Sequence, residues 1–287
     1  MQTFRERLPV PALRGLVACV WVQEVGPGSP PYLHRTVPNG STEVVYTLGS
    51  APRIVGPQTG PSEVLVVPGT VAAGLRLRPG AAHALHAMPT SELVDLEVEA
   101  SEIWGRSARA LGESLAAAPS PEAAAALLEH HVLRRTRGHA PLDSLALEAV
   151  ARLLRRPAGV RSLAASLSIS ERQLRRRVQA AVGLAPKPLE RMFRFQRFLA
   201  LVHADDGAQQ SLGRLALEAG YADQSHLTRE AVRLTGRTPA TVLRHAECDC
   251  RGAHDHSASY GVFLAGARPI RSRRLSGRHL ASEASWR

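Results

Sequence analysis

The apolar positions of the chain follow two patterns, which change near residue 100. Before it, short apolar runs alternate with Gly and Pro; the runs are 16–22, 42–48, 54–55, 64–67 and 71–77. Runs of this length between turn residues predict a small antiparallel sheet or barrel. Beyond residue 100, apolar residues recur at helical spacing and predict flanking helices over 107–117 and 121–135. Leu128 and Val132 of the second helix belong to an apolar seam, which we expect to pack on the sheet or on a second subunit.

The second half of the chain contains one pattern twice, 53 positions apart. Residues 170–178 are followed by a Gly-Leu-Ala-Pro sequence, and residues 223–231 by Gly-Arg-Thr-Pro. A short apolar helix and a tight turn precede each copy. This order is typical of a helix-turn-helix unit, here present twice. Because the second helix of such a unit lies in the major groove, the duplication predicts a protein that contacts DNA with two helices of one chain.

The predicted recognition helices lie near 170–181 and 223–234. Ser170 is suited to cap the first helix, and Asp223 is the predicted cap of the second. Each helix then has one apolar face, formed by Leu174 and Val178 in the first and by Leu227 and Ala231 in the second, and we expect both faces to be buried. The side chains predicted to contact DNA on the other faces are Arg172, Arg175, Arg176, Gln224, Ser225 and Arg229.

A linker helix is predicted between the two copies, beginning at Pro188. Its apolar positions, Met192, Phe195, Leu199 and Val202, repeat at helical spacing. A helix of roughly 15 residues at about 1.5 Å per residue would fix the distance between the two units.

Residues 144–247 resemble the DNA-binding domain of the AraC/XylS family of transcription regulators. The resemblance covers both helix-turn-helix units, the linker segment 188–194 and both Gly-x-x-Pro endings. It implies two recognition helices in successive major-groove segments, with base contacts by the six side chains named above. The chain departs from the family at Val178 and Ala231, where Phe is usual, and at Phe198, where Ala is usual. These exchanges indicate a compensated repacking of the cores.

The first half resembles the amino-terminal domain of a subset of AraC-like regulators. The residues that carry this resemblance are 37–40, 56–59 and 74–80, within a match of about 8–135. It implies a sensor or dimerisation domain over 1–139, whose small-molecule effector is unknown.

Charge is concentrated where DNA binding is predicted. Residues 1–139 hold 12 Lys plus Arg and 12 Asp plus Glu, whereas 140–247 hold 17 and 10 and 248–287 hold 7 and 3, within a chain of net charge +11. Phosphate attraction requires such an excess. The residues from 248 onward are predicted to be a flexible basic tail. We find no signal peptide and no apolar run long enough to span a membrane, so we expect a cytoplasmic protein.

Metal and enzyme chemistry are the alternatives that the sequence raises. His34, His83 and His86 in the first half form no recognisable ligand set. The group Cys248, Cys250, His254 and His256 has thiolate and imidazole ligands, but its Cys-x-Cys spacing is tighter than usual for zinc, so metal binding there stays open. Arg76 and Arg78 alternate on a predicted strand and point to one face, where they bind an acidic effector or lie in solvent; we favour exposure to solvent.

The sequence therefore predicts an α+β protein: a small antiparallel β domain followed by an all-α domain with two helix-turn-helix units. The predicted function is a one-component transcription regulator without enzymatic activity or cofactor. Its predicted partner is double-stranded DNA; RNA polymerase, an effector and a second copy of the chain are further candidates. One alternative is a DNA-alkylation repair protein with a methyl-accepting cysteine, although Cys19 lies in an apolar strand pattern without a nearby cation. A second alternative is a sequence-tolerant architectural DNA-binding protein.

Overall fold

The fold is an antiparallel sheet with helices on one face, followed by a helical half. The computed structural model describes residues 2–86, 88–137, 142–155, 159–204, 211–250 and 257–264, with the backbone alone for 245–250 and 257. The strands are β1 Gln2–Arg7, β2 Val17–Val25, β3 Tyr32–Thr36, β4 Glu43–Thr47, β5 Arg53–Val55, β6 Ser62–Val66, β7 Val71–Leu77 and β8 Glu97–Glu99. The helices are α1 Ala100–Trp104, α2 Arg106–Ala116, α3 Pro121–Thr136, α4 Ser144–Arg155, α5 Val160–Ser166, α6 Glu171–Val182, α7 Pro186–Ala204, α8 Leu212–Ala219, α9 Gln224–Thr235, α10 Pro239–Cys250 and α11 Ser257–Leu264.

Six strands form one antiparallel sheet in the order β1-β2-β7-β4-β5-β8, and β3 and β6 form a separate two-stranded ribbon. The five predicted runs became β2, β4, β5, β6 and β7. The sequence missed β1, β3 and β8 because their alternation is weak. In β2, by contrast, nearly every residue is buried, since both faces of the strand are covered.

The helices α2 and α3 cover one face of the sheet. Leu128 and Val132 of α3 are fully buried against it, together with Leu111 and Leu115 of α2. The apolar seam therefore packs on the sheet of its own chain. Ser120 begins α3 by accepting a hydrogen bond from the backbone N–H of Ala123, with Pro in the first turn.

The helical half shares its core with parts of the amino-terminal half. Its cluster of buried residues includes Phe193, Phe195 and Phe198 of α7, but also Ala18 of β2. Val37 and Val94 of the amino-terminal half pack against the same cluster. The two halves therefore contact each other through apolar side chains.

The expectation of a flexible tail from residue 248 is wrong for residues 257–264. These form α11, in which Val262 and Phe263 are buried, and the ring of Phe263 lies 5.9 Å from that of Phe193. The backbone N–H of Ser259 donates to Glu6 of β1 at 2.9 Å. The physical reason is that Val262 and Phe263 supply an apolar anchor among polar residues. Residues 265–287 lie outside the described part of the chain.

Candidate nucleic-acid interface

The first recognition helix, α6, is fixed at both ends by local hydrogen bonds. Ser170 Oγ accepts from the N–H of Gln173 at 3.2 Å, and Gln173 Oε1 accepts from the N–H of Ser170 at 3.0 Å. This is the predicted capping box. The helix ends at Gly183, which adopts a left-handed conformation with φ of +84°. The helix spans 171–182, so both of its ends lie one residue later than the predicted 170–181.

The three arginines of α6 that are predicted to contact DNA all lie on the exposed side of that helix. Leu174 and Val178 are fully buried, which confirms the inward face, while Arg172, Arg175 and Arg176 are exposed. Arg175 lies 3.7 Å from Glu171, a neighbour one turn earlier. Within the described residues, no protein group pairs with Arg172 or Arg176. Their guanidinium groups are therefore available to an anion or a base edge.

Arg177 differs from these three arginines because it holds the helix in place. Its Nη1 donates to Asp143 Oδ2 at 2.6 Å, and Asp143 also accepts from two N–H groups at the start of α4. Burial raises the pKa of Asp143, but the N–H of Ala146 and the Arg177 guanidinium outweigh it, so the pKa lies below its usual value. Arg177 thus ties α6 to α4.

The second recognition helix, α9, repeats this construction. Asp223 Oδ1 accepts from the N–H of His226 at 2.6 Å, as its predicted capping role requires, and the helix ends at Gly236 with φ of +70°. Leu227 and Ala231 are fully buried, whereas Gln224, Ser225 and Arg229 are exposed. Two of the predicted contact positions are equivalent in the two copies, since Arg172 aligns with Ser225 and Arg176 with Arg229.

The two turns are not identical. The left-handed residue is Ser168 in the first turn and Gly220 in the second. The next N–H donates to a carbonyl five residues back in both cases, from Ile169 to Ala164 and from Tyr221 to Ala216. Both connections have four residues, 167–170 and 220–223, but the left-handed residue lies two positions before the cap of α6 and three positions before the cap of α9.

The linker helix α7 is longer than predicted, with 19 residues from Pro186. The expected positions Met192, Phe195 and Leu199 are buried, but so are Phe193 and Phe198, because the helix is packed on several sides. Phe198 stacks on Phe195 with ring centroids 5.8 Å apart. Val178, Phe198 and Ala231, the three positions at which the chain departs from the family pattern, are all buried in one cluster.

Two arginines of α7 attach it to the second unit. Arg191 donates to both carboxylate oxygens of Glu230 in α9, at 2.5 and 3.0 Å. Arg194 pairs with Glu190 of the same helix at 2.9 Å, and its guanidinium lies 5.6 Å from the ring of Tyr221. The position of α9 on the linker is therefore set by directed charged contacts as well as by apolar packing.

Loops of the amino-terminal half contact both α6 and α7. Gln196 of α7 donates to the carbonyls of Val37 and Pro38 at 3.2 and 3.0 Å. A Cβ atom on Gly40 would lie 2.7 Å from Leu189, and one on Gly183 would lie 2.6 Å from Val94. The segment 37–40, which the sequence singled out for its resemblance, therefore lies against the linker helix. Sequence reasoning missed this role because the partners are some 150 residues apart.

Cys19 is unsuited to accept a methyl group from DNA. It is fully buried, and burial raises the pKa of its thiol well above the usual value. The expectation that no cation lies nearby is wrong: Arg76 is next to it, but Arg76 is engaged by Glu43 at 2.7 Å and Glu6 at 3.6 Å. The expectation that Arg76 is in solvent is wrong for the same reason.

Among the described residues, no group of three or more His, Cys, Asp or Glu side chains is arranged so that it could hold a metal ion. The rings of His83 and His86 both lie against the carbonyl oxygen of Met88, at 3.3 and 2.9 Å. The predicted candidates Cys248, Cys250, His254 and His256 fall outside the part described in side-chain detail. Among the described helices, none is both long and apolar enough to cross a membrane.

Comparison with known proteins gives two family matches. Residues 163–245 match the model of a helix-turn-helix domain, and residues 5–99 match a domain of unknown function, DUF6597. No curated protein sequence matches significantly.

Among solved structures, ToxT from Vibrio cholerae aligns over 84% of this chain and 98% of its own, at 10% identity and a TM-score of 0.43. ToxT bound to (E)-4-(8-methylnaphthalen-1-yl)but-3-enoic acid aligns over the same shares, at 11% identity and a TM-score of 0.44. ToxT bound to an unsaturated fatty acid aligns over 85% of this chain and 94% of its own, at 12% identity and a TM-score of 0.39.

The duplicated, capped helix-turn-helix units and the family match define a DNA-binding transcription regulator. The chain carries an AraC-type helix-turn-helix domain behind an amino-terminal DUF6597 domain.

Proposed function

We propose that α6 and α9 enter two successive segments of one major groove. The proposed base-contacting side chains are Arg172, Arg175 and Arg176 on α6 and Gln224, Ser225 and Arg229 on α9. One observation carries this proposal. All six side chains are exposed on two helices that are each capped at the start, and the opposite face of each helix is fully buried.

The linker helix supports the proposed spacing. Its 19 residues span about 28 Å at 1.5 Å per residue. Successive major-groove segments on one side of the duplex lie roughly 34 Å apart. A rigid helix of this length, held to α9 by Arg191, is suited to keep both units in register with the groove.

The two recognition helices carry different chemistry. Three exposed arginines on α6 are suited to guanine O6 and N7 or to phosphates, whereas Gln224 of α9 is suited to adenine N6 and N7. We therefore infer that α6 supplies most of the electrostatic affinity and that the second segment is richer in A·T pairs.

The amino-terminal half is proposed to sense an effector or to join two copies, in agreement with its zero net charge and its contacts with α6 and α7. We infer a protein that acts by binding, and the buried thiol of Cys19, whose pKa is raised by burial, argues against the methyl-accepting alternative. Recruitment of RNA polymerase, homodimerisation and a cytoplasmic location remain predictions from the regulator class.

Selection of duplexes from a randomised library by the full-length protein tests the proposal. We expect two preferred segments whose centres lie about 10 base pairs apart. A single preferred segment would contradict the role of one helix. Binding without any preference would instead favour the architectural alternative.

A further inference from the structure

A cavity of about 420 Å³ lies between α1 and the segment that leads from β7 to β8. Its lining includes five apolar side chains, among them Leu93, Leu96 and Ile103, and the buried His86. Cavities of this size and composition are typical of small-molecule sites. The cavity is open at one side, where Leu96 is about half exposed (48%).

Two carboxylates line the same cavity, Glu92 and Glu102, and both residues are exposed. Glu102 Oε1 accepts the backbone N–H of Glu99, at 3.1 Å, in the first turn of α1. In the described part of the chain, neither carboxylate forms an ion pair with Arg or His, whereas the neighbouring Glu97 is paired with Arg53. An apolar cavity with unneutralised negative charge at its rim complements an organic cation.

The wall of the cavity is also a contact of α6. Leu93 lines the cavity, and the adjacent Val94 lies so close to Gly183, the end of α6, that a Cβ there would approach its Cγ2 to 2.6 Å. The carbonyl oxygen of Thr90 would lie 3.0 Å from the same Cβ. A ligand that displaces this wall must therefore move or release the end of the recognition helix.

The backbone of this wall is held in an unusual conformation. Asp95 has a φ of +58°, which is rare for residues other than glycine, and its carboxylate accepts from the N–H and hydroxyl of Thr59 at 2.6 and 2.5 Å. The carbonyl of Leu93 packs directly on Gly56, where a Cβ would lie 1.7 Å from the oxygen. The segments 56–59 and 90–95 are thus tied into one unit by these hydrogen bonds and by close packing.

We propose that this cavity binds a small amine with an apolar body, and that its occupancy changes the DNA affinity of α6 through Thr90–Val94. The proposal deepens the inferred sensor role and rests on the proposed function of α6. The amine places its charge between Glu92 and Glu102 and its apolar part against Leu93 and Ile103.

The test compares three probes of the same shape in calorimetric titrations of the full-length protein: 4-phenylbutylamine, 4-phenylbutyrate and 4-phenylbutan-1-ol. We expect the amine to bind about tenfold more tightly than the carboxylate, with the alcohol between them, since each rim carboxylate contributes modestly in water. Equal affinities for the amine and the carboxylate, or no binding of the amine, would overturn the proposed ligand class.

Variants locate the site. Leu96→Trp fills the open side without disturbing the core, and we expect it to weaken amine binding at least about tenfold. The double variant Glu92→Gln with Glu102→Gln should remove the preference for the amine over the carboxylate. Glu113→Gln, an exposed carboxylate of α2 outside the cavity, is the matched control. Unchanged amine binding in Leu96→Trp would place the probe elsewhere and refute the site.

The coupling is measured separately from the binding. Saturating amine should change the dissociation constant of the selected duplex at least about fivefold, and Val94→Ala should reduce this response while the amine still binds. An unchanged DNA affinity would overturn the coupling. If the protein without the probe shows no DNA preference, the proposed function fails. The calorimetric titrations would still show whether the cavity binds the amine.

Discussion

Arg191 of α7 donates hydrogen bonds from Nε and Nη2 to the two carboxylate oxygens of Glu230 in α9, at 2.5 and 3.0 Å. Both side chains are largely buried, with exposures of 19% and 15%. This paired contact joins the linker helix to the second recognition helix directly. Its geometry is the bidentate form that gives charged hydrogen bonds their direction.

A double-mutant cycle with Arg191→Met and Glu230→Gln should give a coupling free energy of roughly 1–3 kcal/mol in urea unfolding. The pair Arg152–Glu148, at 2.7 Å within α4, is the control because its side chains are more exposed, at 36% and 42%. For that pair we expect about 0.3–0.5 kcal/mol, because solvent screens it. Similar coupling in both pairs would show that the Arg191–Glu230 contact does not fix α9.

Arg176 and Arg229 occupy the same position in the two copies, six residues after each cap. If they contact bases, Arg176→Ala and Arg229→Ala should each cost roughly 1–3 kcal/mol at the selected duplex. Each should also relax the preference in a different segment, about 10 base pairs from the other. Binding to a randomised library measures both effects, and Arg233→Ala on α9 is the control. A uniform loss across sequences, with a shallower salt dependence, would indicate phosphate contacts instead.

Gly183 and Gly236 both end their recognition helices in the left-handed conformation. The two positions differ in packing, because an added Cβ at Gly183 would meet Val94 and Thr90. A Cβ on Gly236 would meet none of the described atoms within 4 Å, so Gly236→Ala should cost about 1–2 kcal/mol from backbone strain. Gly183→Ala should cost about 1–3 kcal/mol more, because it also collides with Val94 and Thr90. Chemical denaturation measures the difference, and Val94→Ala should restore part of it. Equal losses would mean that the amino-terminal half does not press on α6.

His131 of α3 lies 5.1 Å from the ring of Trp104, and burial, aided by Arg135 and Arg134, lowers its pKa from 6.5 to about 4. Between about pH 4 and pH 6.5, the unfolded chain therefore binds a proton at His131 that the folded chain does not bind. Stability from the neutral imidazole is complete above pH 6.5 and is lost as the pH falls towards 4. We expect the melting temperature of His131→Phe to fall less than that of the wild type between pH 7 and 4.5. The variant His130→Gln, at an exposed neighbour, is the control and should lose as much melting temperature as the wild type does. If the melting temperature of His131→Phe fell with pH as steeply as that of the wild type, the burial of His131 would be contradicted.

Phe263 anchors α11 on the linker helix. Phe263→Ala should destabilise the protein by about 3–5 kcal/mol, the usual cost of removing a buried aromatic ring. Gly261→Ala is the control on the same helix, since a Cβ there meets nothing within 4 Å. Thermal unfolding of both variants checks the prediction. If Phe263→Ala had no more effect than Gly261→Ala, α11 would not be part of the core.

Local chemistry explains which features of the interface were predictable. Ser170 and Asp223 cap their helices within three residues, and Gly183 and Gly236 end them through a backbone conformation that favours glycine. Leu174 and Leu227 share their faces with residues four positions away. All these relationships lie within one or two helical turns, so the sequence alone carries them.

The features that were missed depend on partners distant in the chain. Arg76 is partly buried and paired because Glu6 and Glu43 approach it from two other strands, and a basic residue on a strand does not reveal that pairing. Residues 257–264 pack on the linker helix because the ring of Phe263 lies against the ring of Phe193, with centroids 5.9 Å apart.

The sequence by itself determined two helix-turn-helix units with exposed arginines, since capping, helical periodicity and charge are local properties. Only the tertiary structure decided how the amino-terminal half holds them, through Gln196 on the carbonyls of Val37 and Pro38 and through Val94 against Gly183. The physical reason is that burial and close packing are set by which distant segments meet, and one chain's pattern of residue types leaves many such pairings open.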